Sequence, residues 1–167
     1  AGTRLVKGTP DVNGAIEVDA NSSFHLGASV SDCEVRLTIW RNMSDDDRNK
    51  TGADSKGYEI HLRWTEASNY SALQIRADGY YRIVNVGGGK TTTLVGDSKG
   101  GYLPIPRWDK NADYDTLVVT VRKDFIGGTF NGHRLNTTSE AGTGTGSVGI
   151  RSTNGLALAI EKIDVNE

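Results

Sequence analysis

Three short stretches of the chain set charged and hydrogen-bonding side chains two residues apart. Glu34, Arg36, Thr38 and Trp40 form the first series, Glu59, His61 and Arg63 the second, and Gln74 and Arg76 the third. On an extended strand, side chains two apart point to the same side. If the three strands share one sheet, its water-facing side gathers carboxylates, guanidinium groups, an amide, an imidazole and an indole. Such a set suits a ligand rich in hydroxyls. A hydroxyl both donates and accepts, so a carboxylate beside an arginine, or an amide, grips two neighbouring hydroxyls. The C–H face of a sugar ring packs on an aromatic plane, and Trp40, Tyr81 and Trp108 are candidate platforms, of which a chain-end pocket needs one. The competing reading is a solvated face whose charges only pair across strands, for about 0.2–1 kcal/mol per pair.

The elements that position these residues are strands. Cys33, Val35, Leu37 and Ile39 alternate with the first polar series, and Tyr58, Ile60, Leu62 and Trp64 with the second. Leu73 and Ile75 alternate with the third, and Leu117, Val119 and Val121 mark another half-buried strand within residues 114–123. On this parity Trp64 is expected in the core, as is Tyr81 if it follows Ile83. Asp78-Gly79 predicts a hairpin between residues 71–77 and 80–86, and Asn131-Gly132 and Asn154-Gly155 predict later turns. Gly87-Gly88-Gly89 is expected to end a strand, residues 42–57 to form one long loop, and residues 156–165 to form the closing strand. About a dozen short strands at this spacing predict an all-β, two-sheet antiparallel sandwich filling residues 1–167 as a single domain.

Composition agrees. Hydrophobic residues make up 36% of the 167 and there are 21 glycines, which suits strands joined by tight turns. A chain this long buries enough surface to fold without a staple. The formal net charge is -2, and the densest acidic patch, Asp45 to Asp47, is flanked by Arg41, Arg48 and Lys50. No basic footprint for nucleic acid or for an anionic membrane is present, and no apolar run is long enough to cross a bilayer as a helix. Cys33 is the single cysteine, so an internal disulfide is excluded. Asn21, Asn42, Asn49, Asn69 and Asn136 each begin an Asn-x-Ser/Thr site, a glycan acceptor only in a eukaryotic secretory protein.

Four stretches carry a resemblance. They are 31-SDCEVR-36, 57-GYEIHL-62, 78-DGYYRI-83, and residues 125–133 followed by 146-GSVGI-150. Their order resembles the concanavalin A-like lectin and glucanase superfamily, the jelly roll shared by laminin G domains, over roughly residues 15–165. Because this fold hosts many activities, the resemblance implies more about architecture than about function. By size it is most similar to carbohydrate-binding modules, the levan-binding type among them. It implies a concave sheet face that binds carbohydrate, here through Glu34, Arg36, Trp40, Glu59, His61, Arg63, Gln74, Arg76 and Tyr81. It also implies a secreted location, to which the initial Ala1 adds a weak hint of processing, and attachment to a larger secreted enzyme. No cofactor is required on this reading. Relatives often hold a structural calcium, for which Asp19, Asn21 and Asp164 are the candidates here.

Catalytic alternatives are narrower. Jelly-roll glucanases show Glu-x-Asp-x-x-Glu, but Glu17-Val18-Asp19 is followed by Ala20, Asn21 and Ser22, so the third acid is missing. A small polysaccharide lyase would neutralise a uronate with Arg36 and take a proton with His61 or Tyr81. The late Tyr-Lys-Ala-Gly strand of those enzymes has no counterpart. Gly87 to Thr91 is not a phosphate loop, because Asn85 stands where the first glycine belongs. No Cys/His cluster has zinc-ligand spacing. A third reading is a structural or adhesive sandwich with an inert charged face.

Overall fold

The computed structural model describes residues 3–5, 16–97, 99 and 101–167. Two antiparallel sheets pack face to face. The first contains β1 (Thr3–Leu5), β2 (Ile16–Val18), β4 (Cys33–Asn42), β10 (Tyr114–Arg122), β11 (Phe125–Phe130), β12 (His133–Arg134) and β14 (Ala157–Asn166), in the order β1-β14-β4-β10-β11-β12 with β2 also on β14. The second contains β3 (Ser23–His25), β5 (Gly57–Glu66), β6 (Asn69–Arg76), β7 (Tyr80–Gly87), β8 (Lys90–Val95), β9 (Leu103–Pro104) and β13 (Ser147–Thr153), in the order β3-β13-β5-β6-β7-β8 with β9 also on β7.

The alternation read from the sequence fills the space between them. Val35, Leu37 and Ile39 on β4 and Leu117, Val119 and Val121 on β10 meet Tyr58, Ile60 and Leu62 on β5 and Leu73 and Ile75 on β6, all at most 2% exposed. Each such side chain contributes about 1.5–3 kcal/mol by leaving water. Cys33 lies in this core as a buried thiol, and burial pushes it up to about 11, so it stays protonated and apolar at neutral pH.

One end of the core is polar. Arg41 Nε lies 3.2 Å from Asp115 Oδ2, which also accepts the Tyr58 hydroxyl at 2.8 Å. The Arg41 guanidinium stacks 4.5 Å above the Trp108 ring and donates through Nη2 to the Asp109 carbonyl at 3.1 Å. Trp108, half-buried, in turn packs against Phe130 at the margin of the core, with the Arg41 guanidinium over its ring. Gly79 permits this. Its φ is +96°, and a Cβ there would stand 2.6 Å from the Trp108 ring.

Three local expectations change. The stretch at 42–57 is not one loop. It holds the short helix α1 (Asp45–Asn49), whose N-terminus is capped by the Ser44 side chain accepting from Asp47 N at 3.2 Å, followed by a 3-10 turn at Gly52–Asp54. Asp45, Asp46 and Asp47 favour the helix's positive end. Gly88 and Gly89, both with positive φ, do not merely end β7 but turn it into the edge strand β8, which the run Thr91-Thr92-Thr93 hides because it lacks alternation. Finally, Arg63 is left-handed (φ 53°), and β5 shifts register against both neighbours there. This bulge flips the parity of β5, so Trp64 leaves the core side and emerges on the outer face.

Candidate functional site

The outer face of the second sheet collects the chemistry. Glu59 on β5 sits opposite Gln74 on β6 and Arg151 on β13, and Gln74 sits opposite Arg82 on β7. Two residues along, Gly57, Arg76 and Tyr80 form the next row on this face. The Asp78-Gly79 hairpin fixes this register and so brings the β7 side chains beside those of β6.

Hydrogen bonds tie the rows together. Gln74 Nε2 donates to Glu59 Oε2, while Gln74 Oε1 accepts from Arg82 Nε at 2.5 Å and from the Tyr102 hydroxyl at 3.3 Å. Asp78 holds Arg76 with two bonds of 2.9 and 2.7 Å and accepts Gly52 N–H at 2.9 Å. The Tyr102 ring lies between the guanidinium groups of Arg76 and Arg82, each 4.6 Å from its centroid. Glu59, Gln74, Arg76 and Tyr102 line a cavity of about 410 Å³, walled on the other side by Ala53, Ser55, Thr153 and Asn154. Asn154 Nδ2 donates to the carbonyls of Ala53 and Ser55 at 2.9 and 2.8 Å and so staples the two wall loops together.

Next to the cavity stands an aromatic cluster. His61 Nε2 lies 3.3 Å from Glu59 Oε1, and His61 Nδ1 lies 2.9 Å from His25 Nε2. The consistent assignment has His25 Nε2–H donating to His61 Nδ1 and His61 Nε2–H donating to the carboxylate. The rings of His25 and Trp64 stack at 3.9 Å, and those of His61 and Tyr70 lie 4.3 Å apart. Gly149 makes room, since a Cβ there would come within 2.2 Å of the His25 ring.

Electrostatics follow from this packing. Burial works against the charged form of Glu59, but hydrogen bonds from His61 and Gln74 and the positive charge of Arg151 outweigh it, leaving the carboxyl below its ordinary value. Burial, with His61 adding to it, lowers His25 from 6.5 to about 4. Between those two values the unfolded chain takes up a proton at His25 that the folded chain refuses. Stability is therefore expected to fall as pH drops from 6.5 towards 4 and to level off below. The groups facing His25 and its partner are Glu59, Arg151 and Tyr70. Urea unfolding midpoints between pH 4 and 7 test this: His25→Phe, which keeps a ring on Trp64, should flatten the slope, and an unchanged slope would refute the assignment.

Of the residues expected to share one surface, Glu59, His61, Gln74 and Arg76 do so. Glu34, Arg36 and Trp40 do not, because β4 belongs to the first sheet and turns them to the opposite side of the sandwich. There Arg36 donates to Glu34 at 2.7 Å, the pairing anticipated for an inert face. Arg63 is carried away by the bulge and donates to the carbonyls of Ser31 and Gly142 at 3.3 and 2.6 Å, closing one end of the sandwich. Tyr81 is in the core, 2% exposed, with its hydroxyl accepting Asn136 N–H at 2.8 Å. Of the residues considered for calcium, Asn21 accepts through Oδ1 from Gly155 N–H at 2.8 Å and Asp164 lies 3.5 Å from Lys162 Nζ. Sequence reasoning missed Arg82, Tyr102, Arg151, His25, Trp64 and Tyr70. Arg82 was within reach, since the Asp78-Gly79 turn sets it opposite Gln74, whereas Tyr102 sits in a stretch without periodicity.

No protein-family model and no curated sequence matches the chain. Solved structures match it closely in shape. The carbohydrate-binding module CBM66 from Bacillus subtilis superposes with a TM-score of 0.69 at 15% identity, over 99% of this chain and 96% of that one. A Bacillus licheniformis beta-glucanase gives 0.63 at 9% identity, over 98% and 87%. The galectin LEC-6 of Caenorhabditis elegans gives 0.51 at 17% identity, over 99% and 96%. The architecture is the concanavalin A-like jelly roll, as the resemblance implied.

Proposed function

We propose that this protein is a carbohydrate-binding module that holds a glycan chain end, without cleaving it, in the cavity on the outer face of the second sheet. The observation that carries the reading is the hydrogen-bonded network of Glu59, Gln74 and Tyr102, which line that cavity beside Arg76, with Arg82 holding Gln74 from behind. It presents fixed acceptors and donors to hydroxyls, in a cavity within the size range of small-ligand pockets. The shared fold of a carbohydrate-binding module and a galectin is consistent with it. The glucanase likeness supports no cleavage here, because hydrolysis by paired carboxylates needs two acids across one bond, and Glu59 is the only acid among the described residues lining the cavity. Against the lyase reading, Arg36 and Tyr81 lie off this face, and His61 is 3% exposed with both ring nitrogens engaged. On the same reading the chain serves as an accessory module of a secreted carbohydrate-active enzyme.

Calorimetric titration with mono-, di- and tetrasaccharides of glucose, fructose, galactose, mannose and xylose tests this. At least one sugar is expected to bind at millimolar concentration or below. Gln74→Ala should weaken it about ten-fold, the loss of one or two hydrogen bonds to a network, while Arg36→Ala on the far sheet leaves it unchanged. Silence across the panel, or equal losses from both variants, would overturn the proposal.

A further inference from the structure

Resting on that reading, we infer that the site is longer than its cavity: Trp64 and Tyr70 form a second subsite, and the preferred ligand is an oligosaccharide lying along β5 and β6. The aromatic cluster is continuous with the pocket, because His61 bonds the same Glu59 carboxylate that Gln74 holds from the cavity side. The bulge at Arg63 brings Trp64 to this face against the alternation of its own strand, and both Trp64 and Tyr70 are half-buried rather than sealed. Buttressing fixes the rings: Trp64 rests on His25, which lies over Gly149, and Tyr70 rests on His61. A fixed aromatic surface next to a polar pocket is suited to the C–H face of a further sugar ring, which asks for no hydrogen bond.

The spacing gives the length. Gln74 and Tyr70 are four residues apart on β6 and Arg76 and Tyr70 six, so at about 3.3 Å per residue the face spans roughly 13–20 Å, about three or four sugar rings. A monosaccharide reaches the cavity alone, and a tetrasaccharide reaches both subsites.

The test uses the sugars of the panel above at one and four units. The tetrasaccharide should bind the wild-type protein about ten-fold more tightly than its monosaccharide, and Trp64→Ala should abolish that advantage while leaving monosaccharide affinity in place, which also reports that the variant is folded. In wild-type protein, the Trp64 indole N–H resonance should shift with the tetrasaccharide and not with the monosaccharide, a readout independent of any variant. Equal affinity for both lengths, or an advantage that survives in Trp64→Ala with the indole resonance unmoved, overturns the second subsite and leaves the pocket standing. If no sugar of either length binds, the pocket and the subsite fall together.

Discussion

Asp115→Ala is expected to destabilise the protein by about 3–5 kcal/mol, the usual cost of breaking a buried ion pair by removing one partner. Asp115 is 0% and Arg41 1% exposed, so the truncation strands a guanidinium inside the sandwich and leaves the Tyr58 hydroxyl without its acceptor. Against a total stability of roughly 5–15 kcal/mol this is a large fraction. Urea unfolding followed by tryptophan fluorescence measures it. Replacing both charges with apolar residues, Arg41→Met with Asp115→Leu, should recover much of the loss, because the penalty arises from the unpaired charge and not from the absence of the pair. A loss under about 1 kcal/mol for Asp115→Ala would show that the cluster is far wetter than its packing implies. Acid alone should not mimic the variant. Burial raises the Asp115 carboxyl above its ordinary value despite the opposing pull of Arg41 and Tyr58, so lowering the pH favours the folded state through this group.

Glu59→Ala is expected to weaken glycan binding at least about 100-fold, since a hydrogen-bonded, nearly buried carboxylate is lost from the centre of the site. Glu59 is 5% exposed and joins the two halves of the face, bonding His61 on one side and Gln74 on the other. Its removal therefore leaves one donor on each of His61 and Gln74, Nε2 in both, without its acceptor and should also cost about 1–3 kcal/mol of stability. Glu59→Gln keeps the shape and half of the acceptors, and its affinity should fall between the two. Calorimetry with the tightest sugar of the panel decides: a change within three-fold for Glu59→Ala would remove the carboxylate from the site, even if the fold and the cavity are as described.

The sandwich was legible because alternation is a local signal. The apolar sides of β4, β5, β6 and β10 face inward as their period required, and the Asp78, Asn131 and Asn154 turns lie where glycine and asparagine placed them. What alternation cannot reveal is partnership. Arg36 and His61 both stand on the polar side of a strand, and nothing in either segment says that β4 pairs with β10 and β14 while β5 pairs with β6 and β13. The surface thus kept Glu59, His61, Gln74 and Arg76 and lost the β4 residues. Trp64 failed for another reason. A strict period places it with Ile60 and Leu62, but one left-handed residue breaks the count. The one hint was distant, at Gly146, where a Cβ would stand 2.3 Å from the Arg63 backbone, so that only glycine allows the close approach.

The Asn154 staple has a consequence for how a ligand is received. With the two wall loops tied by one amide, and Arg76 already clamped by Asp78, little of the pocket has to be ordered when a ligand arrives. The entropy lost on association then falls mainly on the incoming molecule, so discrimination rests on how well its shape matches a preorganised mould rather than on closure around it.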